Sequence, residues 1–508
     1  MELQLKTEQF TYYEATEEAP VSLETTQEAI VPDSCADVER IVDTTGVVLV
    51  HSKDVGPDGR LEINGVIKAT VLFLPEAGKE PGAVHVSIPF HTAAELKDGA
   101  GRCAVRAWLR SIDSRLLNPR KMLTRADLLL EITAYRQKTV QLCTAAEGDE
   151  TLQVLEDQAE TTVLTDVMER EFPYVEEMSV SASRRGIREI LDSRTVLFPS
   201  ETRIIGSKLV LKGIVRGELL CRDTAGEVFH LSQEYLFSQI LETGASEDTG
   251  FARASFALTG YDYTIGSEND RDDDHVVTMS LHIRSSAEIL EKRRLRFLAD
   301  LYSLSQHLEL ERQTLSVLED TRSYTRKQNM REILETGVAV RQVVAAWVQL
   351  GLCQRQQGEE GAGVQIPVQL KTLYLDENDQ LQLAEKTVQV HGETDDSAAG
   401  RIVVSCPGEA ASGPAPEGIE VRFALEFAID TGLHTDKLCI AQVKCSEQPE
   451  EEDAMPSIVL RKISDGTRLW DIAKQYRTTG ADILAANAME SEDALNGDKL
   501  ILIPRHRV

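Results

Sequence analysis

The sequence predicts a mainly β protein, in which three tandem antiparallel β-sandwich-like repeats precede a small α+β module of strand, helix, helix and strand. Three observations support this fold class. Similar segments recur around Ile41, Ile190 and Ile333, which are 149 and then 143 residues apart. Each segment is followed by runs in which apolar and polar residues nearly alternate, as in half-buried strands. Helical apolar spacing is clearest only after residue 457.

The chain of 508 residues is too long for one hydrophobic core, so several domains are expected. The recurring segments set their boundaries. We predict an N-terminal strand-rich segment at 1–38 that packs on the first repeat, β repeats at 39–150, 188–295 and 331–445, connectors at 151–187 and 296–330, an acidic linker at 446–456, and the terminal module at 457–508.

A strand of similar pattern follows the recurring segment in each repeat. Gly65 and Gly213 occupy equivalent places in the first two copies, where a glycine indicates a bulge or a close backbone approach. The third copy has Ile366 and Pro367 instead, which predicts an edge strand or a later start. The three runs are LEINGVIKATVLFLPE from Leu61, KLVLKGIVRGELLCRD from Lys208 and VQIPVQLKTLYLDE from Val364.

Polar turns then lead to a second strand in each repeat, an order that is typical of β-hairpins. A further alternating strand lies later in each repeat, in ADLLLEITAYRQ, VVTMSLHIRSSAEIL and IEVRFALEFAID. The charged segment that begins at Leu290 has apolar residues at mixed spacing. There we expect a short helix that merges into a strand.

The charge balance limits the classes of partner. Aspartate and glutamate total 84 against 54 lysines and arginines, which gives a net charge of -30. Such a surface repels nucleic acids and anionic lipid headgroups. The N-terminus has no basic region followed by an apolar core, and no run of about 18 apolar residues occurs. We therefore expect a soluble, cytosolic protein without a transmembrane segment.

Motifs for catalysis and for cofactor binding are missing. The chain has no P-loop, no GxGxxG after a strand, no HExxH and no GxSxG. The ten histidines are dispersed and the eight cysteines form no CxxC pair, which favours reduced structural thiols over a zinc site. The acidic stretch from Glu268 to His275 lacks the glycine and the distal glutamate of an EF-hand, so a solvated hairpin tip is favoured over a calcium site. We expect no enzymatic activity, no cofactor and no metal.

The terminal module has a pattern of its own. A short alternating strand at Ser457–Ile463 precedes apolar residues at i, i+3, i+4 and i+7 over Leu469–Tyr476, which predict a helix. Thr479, followed three residues later by Asp482, marks the start of a second helix. A strand at Asp498–Pro504 closes the module.

This module resembles the LysM family over residues 457–505. The matching motif consists of Gly466, Leu469, Trp470, Ile472, Ala473, Leu484, Asn487, Leu500, Ile501, Ile503 and Pro504. LysM domains typically bind glycans that contain N-acetylglucosamine, in a groove between the loop after the first strand and the loop before the last. The resemblance implies a ligand- or partner-binding groove formed by Gly466, Thr467, Arg468, Leu469, Asn487, Ala488 and Met489.

The module departs from the LysM pattern at the entrance to its first helix. The family usually has aspartate and threonine after the turn glycine, whereas this chain has Thr467 and Arg468. Thr467 keeps a hydroxyl that is able to cap the helix. Arg468 places a cation at the groove rim, which favours an acidic protein surface. We expect Trp470 to close the small core, and Leu469 and Met489 to offer an exposed contact.

The tandem repeats followed by a LysM-like module resemble the SipL-like, SPOCS-domain spore coat proteins of spore-forming Firmicutes. The resemblance implies a morphogenetic scaffold in the cytoplasm of the mother cell, at the forespore surface. It also implies that the chain binds a SpoIVA-like ATPase of the coat basement layer, together with other coat proteins, with the LysM domain as a main contact.

Two other functions stay open from the sequence. One is a protein that binds peptidoglycan, through its N-acetylglucosamine glycan, at the cell wall or spore cortex. The other is an unrecognised enzyme in the β repeats. The missing export signal disfavours the first, because the glycan lies outside the membrane. The missing catalytic motifs disfavour the second.

Overall fold

The computed structural model describes residues 3–76, 80–97, 101–267, 270, 273–358, 361–393, 399–445, 458–463, 468–491 and 499–504. These residues form antiparallel sheets and two short helices near the C-terminus. The predicted fold class, mainly β with a small α+β part, is therefore confirmed. The acidic linker predicted at 446–456 lies outside the described residues.

Twenty-three strands and two helices follow one another among the described residues. The first thirteen strands are β1 (Gln4–Glu17), β2 (Val21–Ile30), β3 (Val38–Val55), β4 (Arg60–Pro75), β5 (Gly82–Glu95), β6 (Arg102–Asn118), β7 (Lys121–Glu147), β8 (Leu152–Ser179), β9 (Ile187–Ile205), β10 (Lys208–Asp223), β11 (Val228–Glu242), β12 (Gly250–Ile265) and β13 (Val276–Ser303). The remaining elements are β14 (Leu308–Glu335), β15 (Val340–Leu350), β16 (Gln354–Gly358), β17 (Gly361–Asp376), β18 (Leu381–Glu393), β19 (Ala399–Ser405), β20 (Ala411–Ala415), β21 (Gly418–Cys445), β22 (Ile458–Ile463), α1 (Leu469–Tyr476), α2 (Gly480–Ala486) and β23 (Lys499–Pro504).

One kind of sheet, here called the front sheet, occurs three times. Its members are β3-β4-β5, β9-β10-β11, and β15-β17-β18 with β16 as an additional partner of β17. The pairing registers place Leu72, Leu220 and Leu373 at corresponding positions of the three central strands. The runs that the sequence comparison matched as strands thus form the middle of each front sheet.

The start of the third copy was matched at the wrong strand. Ile41 and Ile190 lie on β3 and β9, the first strands of two front sheets. Ile333 instead lies on β14, where it pairs with Glu420 of β21. The strand that corresponds to β3 and β9 is β15, which begins seven residues later. Consecutive strands have similar short apolar patterns, so local similarity does not separate one from the next.

The predicted close approach at the two equivalent glycines is confirmed. A Cβ atom on Gly65 would lie 2.4 Å from the ring of Phe90, and one on Gly213 would lie 2.3 Å from the ring of Phe237. The cross-strand aromatic ring therefore occupies the space of the missing side chain. The third copy replaces this pair by Ile366 opposite Val390, in which neither residue is aromatic.

Pro367 does not lie on an edge strand, contrary to the prediction, because β17 is central in its sheet. The residue falls between the last pair of β15, Leu350 with Val368, and the first pair of β16, Gln354 with Gln365. Its carbonyl accepts the Gly351 N–H at 2.8 Å. A missing proline N–H costs no ladder hydrogen bond in this gap between two partner strands.

Each front sheet packs on a second group of strands, here called the back sheet. β1, β2 and β6 pair with β7, β8 and β12 pair with β13, and β14, β19 and β20 pair with β21. Fully buried residues of both layers share each core, which makes every repeat sandwich-like. Examples are Ile63 with Leu128, Leu219 with Ile283, and Val368 with Leu425.

The segments predicted as connectors at 151–187 and 296–330 lie largely in strands of the back sheets. The short helix expected from Leu290 is absent from this described part of the chain, where β13 continues to Ser303. Register shifts at Ile289/Leu290 and Leu298/Asp300 interrupt the alternation along β13. Such bulges move side chains to the other face, which explains the mixed apolar spacing that suggested a helix.

The three front sheets meet in one central apolar cluster. Its buried members come from all three repeats, so the repeats pack against one another and do not lie along the chain as separate beads. They are Val42, Leu72, Leu74, Leu191, Leu220, Val228, Ala345, Trp347, Leu373 and Leu381.

Candidate functional site: the terminal module and its contact with the repeats

The terminal module consists of the β22–β23 hairpin-like pair with α1 and α2 packed on one face. Leu469, Ile472 and Ala473 of α1 are buried, as the helical spacing predicts. Thr479 caps α2, and its hydroxyl accepts the Asp482 N–H at 3.0 Å, which confirms the predicted start of this helix. In the described part of the chain, no helix is long and apolar enough to cross a membrane.

The first loop of the predicted groove is described only in part. Gly466 and Thr467 lie outside the described residues. Arg468 is exposed and is the N-cap residue of α1, with extended backbone angles and no side-chain capping hydrogen bond. Its carbonyl accepts the Ile472 N–H at 3.3 Å. The guanidinium of Arg468 is thus available at the module surface.

The two apolar residues expected to form an exposed contact are placed differently. Leu469 is buried and belongs to the module core, so the expected exposed contact at this residue is wrong. Met489 is half-buried and packs against the same core. The first position of α1 faces inwards because the apolar face of the helix includes it.

Asn487 holds α2 against the closing strand. Its side-chain amide donates to the carbonyls of Ile483 and Leu502, each at 2.7 Å, and its side-chain oxygen accepts the Leu502 N–H at 2.8 Å. These bonds use the polar atoms of the side chain within the module. Ala488 then turns the chain with a left-handed φ of 53°. Asn487, which the resemblance places in the second loop of the groove, therefore has a structural role in the module.

The module core is completed by a residue of the repeats. Tyr302, at the end of β13, is buried in the same cluster as Ile472 and Ile503. Its ring meets Trp470 edge to face, with centroids 4.9 Å apart and an interplanar angle of 69°. Its hydroxyl donates to the Thr478 carbonyl at 2.8 Å. The module is thus docked on the body formed by the repeats.

Asp300 adds a polar part to this contact. The Trp470 indole N–H donates to its Oδ2 at 2.9 Å, and the Lys474 ammonium donates to both carboxylate oxygens at 2.6 and 2.7 Å. Arg312 of β14 is a third partner at 2.8 Å. Burial alone raises the pKa of Asp300, but the hydrogen bonds from Lys474 and Trp470 outweigh burial and hold the pKa below its ordinary value.

Trp470 therefore has a structural role that sequence reasoning only partly found. The prediction that it packs with the module core is consistent with its place beside the buried cluster. Its main polar and aromatic partners, Asp300 and Tyr302, are more than 160 residues away in the chain. No local pattern signals such a contact.

The described residues of the acidic stretch, Asp270 and 273–275, lie between β12 and β13, where a hairpin tip is expected. The His275 ring bonds to Asp274 at 2.7 Å and to the Arg184 carbonyl at 3.0 Å. The Asp274 carbonyl accepts the Ile187 N–H at 2.6 Å. Glu268, of the same stretch, lies outside the described residues. The described part is explained by bonds within the fold.

The structure thus defines a class of protein: interlocked β-sandwich-like repeats with a small α+β module docked on them. Residues 37–117 match the family model described as SipL, SPOCS domain. This span contains β3, β4 and β5, the first front sheet, and most of β6. No curated protein and no solved structure matches the chain. The match indicates a role related to sporulation and the spore coat, while the LysM-like groove stays a prediction.

Proposed function

We propose that the chain is a non-enzymatic scaffold of spore coat assembly. In this proposal it links a basement layer of a SpoIVA-like ATPase to the forespore surface, from the cytoplasm of the mother cell, and holds further coat proteins. The observation that carries the proposal is the match of residues 37–117 to the SPOCS domain of the SipL family.

Exposed apolar residues on the module support a protein partner. Ile458, Leu460 and Leu500 are exposed by 58%, 67% and 69%. They share the outer face of the β22–β23 sheet, since Leu460 pairs with Leu502 and Lys462 pairs with Leu500. A face of large aliphatic side chains suits a protein surface better than a hydrated glycan.

Docking leaves this outer face open. The body contacts the module through α1, at Trp470 and Lys474, and at Thr478 beyond the helix. The aliphatic residues of β22 and β23 keep their exposure in the whole chain. The proposed scaffold therefore presents the module in a fixed orientation, with its sheet face towards a partner. Arg468 adds a cation that suits an acidic rim on that partner.

The experiment compares binding of the full chain to a purified SpoIVA-like ATPase and to chitooligosaccharide. Leu460→Asp tests the sheet face, and Arg468→Glu tests the groove rim. Both residues are exposed, and a glutamate at the N-terminus of α1 suits the helix dipole, so neither change should unfold the module. Leu236→Asp, at a residue of β11 that is 75% exposed, is the matched control.

We expect Leu460→Asp to weaken ATPase binding at least about tenfold, because a buried contact would acquire an unpaired charge. Arg468→Glu should weaken it less, and Leu236→Asp should leave it unchanged. The opposite result would be that the unaltered chain binds chitooligosaccharide but not the ATPase, and that Arg468→Glu loses the sugar binding. This result would instead support a protein that binds N-acetylglucosamine glycan.

A further inference from the structure

Three edge strands surround a cavity between the repeats. β6, β12 and β19 each pair with one neighbour only among the described strands, β7, β13 and β21 respectively. All three contribute to the lining of a cavity of about 1490 Å³. The cavity therefore lies between strands of all three repeats.

Each of these edge strands contributes an arginine to a cross-strand pair of opposite charges. In every case an arginine of the edge strand stands opposite an acidic residue of its long neighbour, and all six residues line the cavity. The pairs are Arg106 with Glu131, Arg253 with Glu288, and Arg401 with Asp430.

Two of the three arginines are neutralised across the boundary between the second and third repeats. Arg401 forms an ion pair with Glu288, and Arg253 Nε lies 2.8 Å from Asp430. Glu288 also accepts the hydroxyl of Tyr135 at 2.7 Å. In both ion pairs the arginine of one repeat contacts the acid that stands opposite the arginine of the other repeat. The two repeats are thereby connected.

Arg106 of the first repeat is left without such a partner. Glu131, the acid opposite it, accepts the indole N–H of Trp108 at 2.5 Å. The guanidinium of Arg106 stands 5.8 Å from the centre of the Trp108 ring. Within the described ranges it forms no hydrogen bond and no ion pair. Its fork of N–H donors is thus held beside an aromatic ring with its donors unused.

The accessible surface of Arg106 belongs to the cavity. The side chain counts as exposed, and it lines the cavity among residues of other strands. Desolvation by the walls of the cavity lowers the pKa of Arg106, and the charge of Arg401 lowers it further, whereas Glu131 and Glu288 raise it. The guanidinium has therefore lost part of its hydration without gaining a hydrogen-bonded partner. An anion placed there would compensate for the lost hydration.

The charges of the side chains that line the cavity also favour an anion. Six basic and six acidic side chains line the cavity, whereas the whole chain has 54 basic and 84 acidic residues. The interior is therefore less acidic than the protein as a whole. An anion that the outer surface repels therefore meets a balanced set of charges inside.

We propose that the cavity binds a small oxyanion, a carboxylate or a phosphate, with Arg106 as its main ligand. Arginine binds both groups through two parallel N–H···O bonds. Because all three repeats contribute to the lining of the cavity, the bound anion lies between the repeats. This site is separate from the terminal module and from its proposed partner.

The test measures anion binding by the full chain. Inorganic phosphate and succinate are the probes, each titrated by calorimetry and by thermal unfolding against chloride at constant ionic strength. A ligand that binds only the folded chain raises the melting temperature in a saturable way. Arg106→Gln removes the charge, and Arg115→Gln, at an exposed arginine of the same strand outside the cavity lining, is the matched control.

We expect saturable binding of at least one probe by the unaltered chain and by Arg115→Gln, and at least tenfold weaker binding by Arg106→Gln. The probe that binds identifies the carboxylate or the phosphate class. Arg106→Lys keeps the charge without the planar fork and should also weaken binding, which decides the matter if Arg106→Gln does not fold. Absence of saturable binding of both probes overturns the proposal, as does equal affinity of the Arg106 variants and the unaltered chain.

Discussion

Leu220 of the repeat body is 1% exposed and packs in a cluster to which all three front sheets contribute. Ile472 of the terminal module is equally buried, but among the described residues its cluster has only eight buried members, and one of them, Tyr302, comes from the body. The body therefore has several cores that support one another. The module has a single small core, which is complete only when the module is docked.

This difference teaches that the module is not an independent bead on a linker. A domain of about 50 residues buries a small share of its surface and has little free energy of unfolding to lose. Tyr302 and Asp300 supply apolar packing and charged hydrogen bonds from outside. The same contact thus sets the orientation of the module on the body and the stability of the module.

The largest effect is expected from truncating one buried side chain in the core of the module and one in the core of the body. Ile472→Ala and Leu220→Ala each remove a buried side chain, at a cost of about 2–5 kcal/mol. In the module this cost should exceed the available stability and unfold α1 and α2. In the body it should lower the melting temperature and leave the fold intact. Hydrogen exchange of residues 469–486, together with thermal unfolding, measures both outcomes.

The comparison would break if Ile472→Ala kept the amides of α1 protected. The module would then have more stability of its own than its small core suggests. A body that lost its cooperative transition in Leu220→Ala would contradict the idea that the repeats support one another.

A smaller effect is expected at the contact itself. Tyr302→Ala removes the ring beside Trp470 and the hydroxyl that bonds to the Thr478 carbonyl. We expect a loss of about 3 kcal/mol, seen as faster hydrogen exchange in α1 with the body unchanged. Tyr302→Phe, the control, keeps the ring and should lose about 1 kcal/mol. Equal exchange in both variants would show that packing by the ring is unimportant.

Many strands of the body could be predicted from the alternation of apolar and polar residues. The runs from Leu61, Lys208 and Val364 form central strands, and the close approach at Gly65 and Gly213 was predicted from glycine inside a strand pattern. Strand pairing was less accessible. The matching of Ile333 failed, and bulges in β13 concealed its alternation, because register depends on distant partners.

In the candidate sites, too, local features could be predicted from the sequence and contacts between distant residues could not. The start of α2 at Thr479 was predictable, because a capping bond is local. The inward position of Leu469 contradicted an expectation taken from the predicted groove. The Asp300–Trp470 contact and the three arginine–acid pairs combine residues from separate strands. Only the folded topology brings such residues together.

The smallest effect is a pH dependence of the docking contact. The pKa of Asp300 in the folded chain lies below its ordinary value of about 3.9, so the folded state favours the carboxylate. Its contribution is therefore present above about pH 4 and is lost as the pH falls through the lowered pKa. We expect α1 to lose protection in this acid range. Asp300→Asn should weaken docking by about 1–2 kcal/mol at pH 7 and remove this part of the pH dependence.

Asp436→Asn, at an exposed aspartate of β21, is the control and should retain the pH dependence. An unchanged acid response in Asp300→Asn would assign the pH dependence to other carboxylates and leave Tyr302 as the main anchor of the module.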